Sequence, residues 1–167
     1  SPICNTLRFI PYTNHILRKE ALIMDKKTIY FICTGNSCRS QMAEAIAKNK
    51  LGGKYSFHSA GTKTHGMNPR AVKVLEELDI DMSSHWSKTL EEIDVKLDFV
   101  VTVCSDADEN CPYMPGVKVY HQAFDDPPRL CKALSEEEDI LQVYRRVRDE
   151  ISLFIDRLPI IIEENLK

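Results

Sequence analysis

The chain has 167 residues, 43% hydrophobic and 28% charged, and its 22 Lys+Arg against 25 Asp+Glu give a formal net charge of -3. That profile fits one globular domain with a real core, and it excludes a broad basic footprint for nucleic acid or an anionic membrane. No segment approaches the ~18 apolar residues of a membrane span, and Asn5, Arg8, Pro11, Asn14 and His15 interrupt the N-terminus before an export signal can form.

Residues 1–23 show no sustained periodicity and are expected to be an N-terminal extension or a translated leader. Purine-rich codons for Arg18-Lys19-Glu20-Ala21 would place a ribosome-binding sequence just upstream of a start at Met24. From Met24 a domain over 24–158 alternates apolar runs with helical patterns, which predicts an α/β fold built on a parallel sheet. Thr28 to Cys33 is a continuous apolar run, as in a strand buried on both faces. Ser40 to Leu51 reads as a helix stopped at Gly52-Gly53, and Tyr55 to Ala60 as a second strand. Asn68-Pro69 supplies an N-cap and a first helical residue for a helix to about Leu78. Phe99 to Val103 and Val117 to His121 are the remaining strands. Ser135 with Glu138 reads as a capping box for a last helix, whose stripe runs Ile140, Tyr144, Val147, Ile151, Phe154, Leu158. Pro159 is expected to end that helix and leave 159–167 as a C-terminal tail. With four strands, the expected architecture is a three-layer α/β/α sandwich on a four-stranded parallel sheet.

The stretch Cys33-Thr34-Gly35-Asn36-Ser37-Cys38-Arg39-Ser40 lies between a predicted strand and a predicted helix. A loop so placed can wrap its N–H groups around a tetrahedral oxyanion, with the helix N-terminus adding positive potential and Arg39 offering paired donors. The same charges stabilise a thiolate at Cys33, which puts a nucleophile beside the central atom of the bound anion. Gly35 is expected to permit close approach and a positive φ. Ser40 either hydrogen-bonds the thiolate or caps the helix, and Asn36 braces the loop.

This arrangement resembles the low-molecular-weight protein tyrosine phosphatase fold, and the likeness extends to Ser59-Ala60-Gly61 and Asp126-Pro127. The resemblance implies that Asp126, and not Asp125, is the general acid. Taken alone, Asp125-Asp126-Pro127-Pro128 reads as a turn.

A phosphatase needs one nucleophilic cysteine, whereas Cys104 and Cys111 follow another buried strand. Strand ends gather at one edge of an open α/β sheet, so Cys33 and Cys104 are expected to meet there. Two-electron reduction of an oxyanion needs one thiolate to form an adduct and a second to attack it, and a third can pass the disulfide outward. A zinc site and inert buried thiols are the competing readings; the Cys33-x4-Cys38 and Cys104-x6-Cys111 spacings depart from zinc pairs. Without an export signal the expected compartment is the cytoplasm, where clustered cysteines are more often reactive than structural.

The set of thiols is similar to that of the thioredoxin-coupled arsenate reductases, as are Met24 through Glu44, Cys104-Ser105-Asp106-Ala107-Asp108, Phe124-Asp125-Asp126-Pro127 and Arg146 through Ile151. Gln41 stands where the phosphatases usually carry proline. The resemblance implies that Cys33 attacks arsenate, Cys104 releases arsenite, and Cys111 forms a Cys104-Cys111 disulfide that reduced thioredoxin, the electron donor, reopens. No bound cofactor or metal is implied. Phosphate and sulfate are expected to compete with arsenate, and the chain is expected to be a monomer that binds neither nucleic acid nor membrane. A phosphatase and a non-catalytic oxyanion or phosphoprotein-binding module remain as alternatives.

Some reductases of this family hold potassium near residues matching Asn36, Glu44 and Ser59 and an aspartate near position 88. Lys88 stands there instead, so no potassium requirement is expected. His65, His85 and His121 read as surface or packing residues, and Arg145, Arg146 and Arg148 as a solvated helix face. Trp86 reads as pocket rim, thioredoxin contact or core, and Cys4 and Cys131 as incidental.

Overall fold

The computed structural model describes residues 26–104 and 114–167. Cys4, Met24 and Cys111 therefore lie outside the described residues, as does the expected leader over 1–23. Four strands, β1 (Thr28–Cys33), β2 (Ser56–Gly61), β3 (Phe99–Thr102) and β4 (Lys118–His121), form one parallel sheet in the order β2-β1-β3-β4. The central position of β1 explains its unbroken apolar run: all six of its residues are buried. β4 lies at an edge and is mostly exposed, where charged residues such as Lys118 discourage pairing with another chain.

Helices α1 (Arg39–Leu51), α2 (Pro69–Glu76) and α4 (Glu137–Asn165) cover the face that carries Ile29, Phe31, Phe99 and Val101. On the other face Tyr30, Ile32 and Val100 are covered by a thinner layer, with Leu90, Ile93, Leu97, Met114 and Val117. The three-layer α/β sandwich on a four-stranded parallel sheet is thus the architecture observed. α1 lacks an amphipathic pattern because every residue from Arg39 to Ala47 is buried. Asn68 caps α2 as its sequence predicts, its side chain accepting from the N–H groups of Arg70 and Ala71. That helix stops at Glu76, two residues before Leu78, because Asp79 turns into the left-handed region (φ 59°) and Ile80 N–H closes back on Leu75 O.

Two expectations for the last helix are corrected. Glu136, not Ser135, is the N-cap, and it makes no side-chain cap; Glu138 turns to Arg145 and Glu137 to Arg70. The helix also passes through Pro159 to Asn165, so 159–167 is no separate tail. Ile162 extends the stripe one turn beyond Leu158 and is buried. Its packing offsets the backbone bond that Pro159 cannot donate. Arg148 departs from a solvated face too: it is buried and donates to Val74 O at 2.8 Å, tying α4 to the end of α2.

Candidate functional site: an oxyanion cradle with a buried thiol

The loop between β1 and α1 forms the floor of a cleft lined by Cys33, Thr34, Gly35, Ser37, Cys38 and Arg39 from the loop side, and by Lys63, His65, Asp126 and Pro128 opposite. Cys33 ends β1, and its sulfur lies 2.8 Å from Ser40 Oγ. Asn36 Nδ2 donates to that hydroxyl at 2.9 Å, which leaves the Ser40 proton for the sulfur. Ser40 therefore serves the thiol and not the helix cap: the N-cap position is Cys38, with no side-chain cap.

Asn36 is the strained residue of the loop. Its φ is 45°, a left-handed conformation that costs a non-glycine residue about 1–3 kcal/mol. The side chain is fully satisfied in return. Nδ2 donates to Ser40 and to Ser59 Oγ at 3.0 Å, while Oδ1 accepts from Lys88 N–H and Gln41 Nε2, each at 2.9 Å. The positive φ expected at Gly35 is thus carried by Asn36. Gly35 serves close approach alone: a Cβ there would stand 2.4 Å from His65 Nδ1. Gly61 has the same character, since a Cβ would lie 2.6 Å from the carbonyl oxygens of Thr34 and Lys63.

Arg39 is 6% exposed; its Nη1 donates to Phe124 O at 3.1 Å, and its Nε stands 3.8 Å from Asp126 Oδ1. The structure separates the two neighbouring aspartates. Asp126 lines the cleft, whereas Asp125 pairs with Arg146 at 3.1 Å on the surface. Pro127 opens a four-residue helix, α3 (Pro127–Leu130), in place of a simple turn. Cys38 also lines the cleft, but burial, reinforced by Asp126 and Cys33, pushes its thiol well up, so it stays protonated beside Cys33. Cys104 is fully buried and absent from the cleft lining. The register sets Cys104 one residue beyond the level of Cys33: Ile32 pairs with Thr102 across adjacent strands, and Val103 N–H donates to Ile32 O. Cys131 packs at the end of α3, its thiol toward Ile140 O.

Behind the cradle lies the buried carboxylate of Glu44, with Ser59 and Lys88 beside it as the resemblance implies and His85 in addition. Glu44 reaches Ser59 Oγ (3.2 Å), His85 Nδ1 (2.7 Å) and Lys88 Nζ (3.6 Å). Burial alone would raise its pKa; the hydrogen bond from His85 and the charges of Lys88 and Lys48 outweigh that and hold it at about 2. His85 is thus neither surface nor plain packing. Trp86 is 53% exposed, so it is not core; its ring stacks under Lys88 and its carbonyl accepts from Gln41 Nε2 at 2.9 Å. Lys63 and His65 were also missed as cleft residues, because only the strap leading out of β2 carries them there. Among the described residues no group of three or more His, Cys, Asp or Glu side chains is disposed to hold a metal, and no helix is long and apolar enough to cross a membrane.

A family model for low molecular weight phosphotyrosine protein phosphatase matches residues 28–158. The chain is 52% identical over 139 residues to arsenate reductase 1 of Staphylococcus saprophyticus, covering 82% of this chain and 99% of that protein. It superposes with a TM-score of 0.65 on the structure of an arsenate reductase in the phosphate binding state, at 28% identity, covering 83% of this chain and 98% of that one. A low molecular weight protein tyrosine phosphatase from T. tengcongensis gives 0.59, also at 28% identity, covering 80% and 97%. The likeness in structure spans both chemistries.

Proposed function

The chain belongs to the low molecular weight phosphotyrosine protein phosphatase family, and from that premise we propose that it reduces arsenate to arsenite at the expense of thioredoxin. The observation that carries this reading is the placement of two cysteines toward the carboxyl ends of adjacent strands. Cys33 lies under the oxyanion loop with Ser40 at 2.8 Å, and Cys104 follows the end of the neighbouring strand by two residues. The 52% identity to an arsenate reductase supports it.

In the proposed reaction the loop N–H groups and Arg39 hold the oxyanion, and the Cys33 thiolate attacks arsenic. Asp126 protonates the departing oxygen, which leaves as water. The Cys104 thiolate then attacks the Cys33 sulfur; the S–As bond breaks, its electron pair stays on arsenic, and arsenite departs. The resulting Cys33–Cys104 disulfide is attacked at Cys104 by Cys111, which restores the Cys33 thiolate. Thioredoxin, a dithiol, reduces the Cys104–Cys111 disulfide. Ser40, Asn36 and Glu44 form the bracing behind the nucleophile. A reducing cytoplasm would keep the thiols of Cys33, Cys38 and Cys131 unbridged, and the chain is read as a monomer there.

The experiment is NADPH oxidation after arsenate is added to the protein with thioredoxin and thioredoxin reductase, beside Cys104→Ser and Cys111→Ser. Turnover lost in both variants is expected. No turnover in the wild type, with an aryl phosphate still hydrolysed, would favour the phosphatase reading, which the equal structural identity to a tyrosine phosphatase keeps in view. Phosphate binding without either activity would make it a binding module.

A further inference from the structure

A lysine and a histidine that this reaction does not use stand at the mouth of the cleft. Lys63 and His65 lie on the strap that leaves β2, where their backbone N–H groups donate to Thr34 O at 3.1 Å and Gly35 O at 3.0 Å. These two bonds lay the strap alongside the oxyanion loop, and both residues line the cleft with Cys33 and Arg39. The fit at Gly35 is close: the space a Cβ would need is filled by the His65 imidazole, 2.4 Å from that position. Glycine there makes room for the ring.

The charges of the cleft explain why such residues would matter. Arg39 faces Asp126 at 3.8 Å, and the reaction requires a thiolate at Cys33. With Asp126 protonated as the acid, the single charge of Arg39 only balances the thiolate, so the floor holds no surplus positive charge before an anion enters. The N-terminus of α1 returns only about half a charge. Of the other described lining residues, Lys63 brings a positive charge and His65 an imidazole N–H donor. Both are exposed, so they meet an incoming anion before Arg39, which is buried.

We propose that Lys63 and His65 form a lip, an ammonium beside an imidazole N–H donor, that recruits and positions the inorganic oxyanion, acting on its binding and not on bond-making at Cys33. This rests on reading the cleft as an oxyanion site, and inorganic phosphate tests it without any need for turnover. Calorimetric titration of the full chain with phosphate is expected to show binding about three- to tenfold weaker in Lys63→Gln, weaker still in Lys63→Gln/His65→Asn, with the difference shrinking at high salt. A double variant within about twofold of a wild type that binds phosphate would overturn the lip and leave the cleft assignment standing. A wild type that binds no phosphate would overturn both.

A second measurement is independent of folding defects in the loop. Cys33 displaces iodide from anionic iodoacetate and from neutral iodoacetamide, and peptide mass mapping follows each alkylation. The iodoacetate-to-iodoacetamide rate ratio should fall about threefold or more in the double variant, with the neutral rate unchanged. An unchanged ratio counts against the lip. In the arsenate assay KM should carry the change, and a loss confined to kcat would overturn the assignment to binding.

Discussion

The Lys88 ammonium stands 3.6 Å from Glu44 Oε1 and 3.3 Å from Trp86 O, with only 12% of its side chain exposed. A carboxylate and a carbonyl facing a buried cation are the kind of oxygens that would hold a monovalent metal ion, and here an amine of the chain itself lies among them. Burial pulls the Lys88 pKa down while Glu44 pulls it back, so the ammonium and the carboxylate depend on each other.

From this pair, activity and phosphate affinity are expected to be equal in potassium and sodium chloride at matched ionic strength. Lys88→Ala should weaken both. Selective activation of the wild type by potassium, several-fold over sodium, would count against Lys88 as the resident cation.

Glu44 makes stability fall in acid. Its pKa is about 2 in the folded chain against an ordinary 4.5, so its contribution is fully present above pH 4.5 and is lost as pH drops toward 2. At about 1.4 kcal/mol per pKa unit, that contribution is on the order of 3 kcal/mol. Urea unfolding between pH 7 and pH 3 should show Glu44→Gln less stable at neutrality and flatter toward acid. Parallel curves for the two proteins would disprove the coupling.

Asp126 and Asp125 are neighbours with different surroundings, one in the cleft and one on Arg146. Asp126→Asn is expected to lower kcat for arsenate reduction by about 100-fold or more, the size of a lost general acid. Asp125→Asn breaks an exposed ion pair and should change it by less than about threefold. Equal losses in a steady-state assay would place the proton elsewhere.

The helix beyond Pro159 packs through Ile162, which is 2% exposed. Ile162→Ala should destabilise the domain by about 2–4 kcal/mol in urea, whereas Ile160→Ala, at a 62% exposed position, should be nearly neutral. Similar small effects at both positions would mean the last turns do not hold the core.

The sequence alone determined the sheet and the cradle. A six-residue apolar run, a loop from Cys33 to Arg39 and a helix in that order specify a strand end, an anion-wrapping turn and a helix N-terminus, because hydrophobic period and turn chemistry are local properties. The same locality marked Asn68 as a cap and the stripe from Ile140 to Leu158 as a helix face. It failed at Pro159, where burial of Ile162 outweighed a local helix breaker, and at Ser135, where Glu138, the acid of the expected box, pairs with Arg145 instead. Only the tertiary structure decided that Asn36 and not Gly35 takes the left-handed turn, since four side-chain bonds from residues up to 52 positions away hold it there. It alone placed His85 on Glu44, and Lys63 and His65 on the cleft. Those contacts follow from which strand ends and straps the parallel sheet sets side by side, a property of the packed chain that no spacing in the sequence encodes.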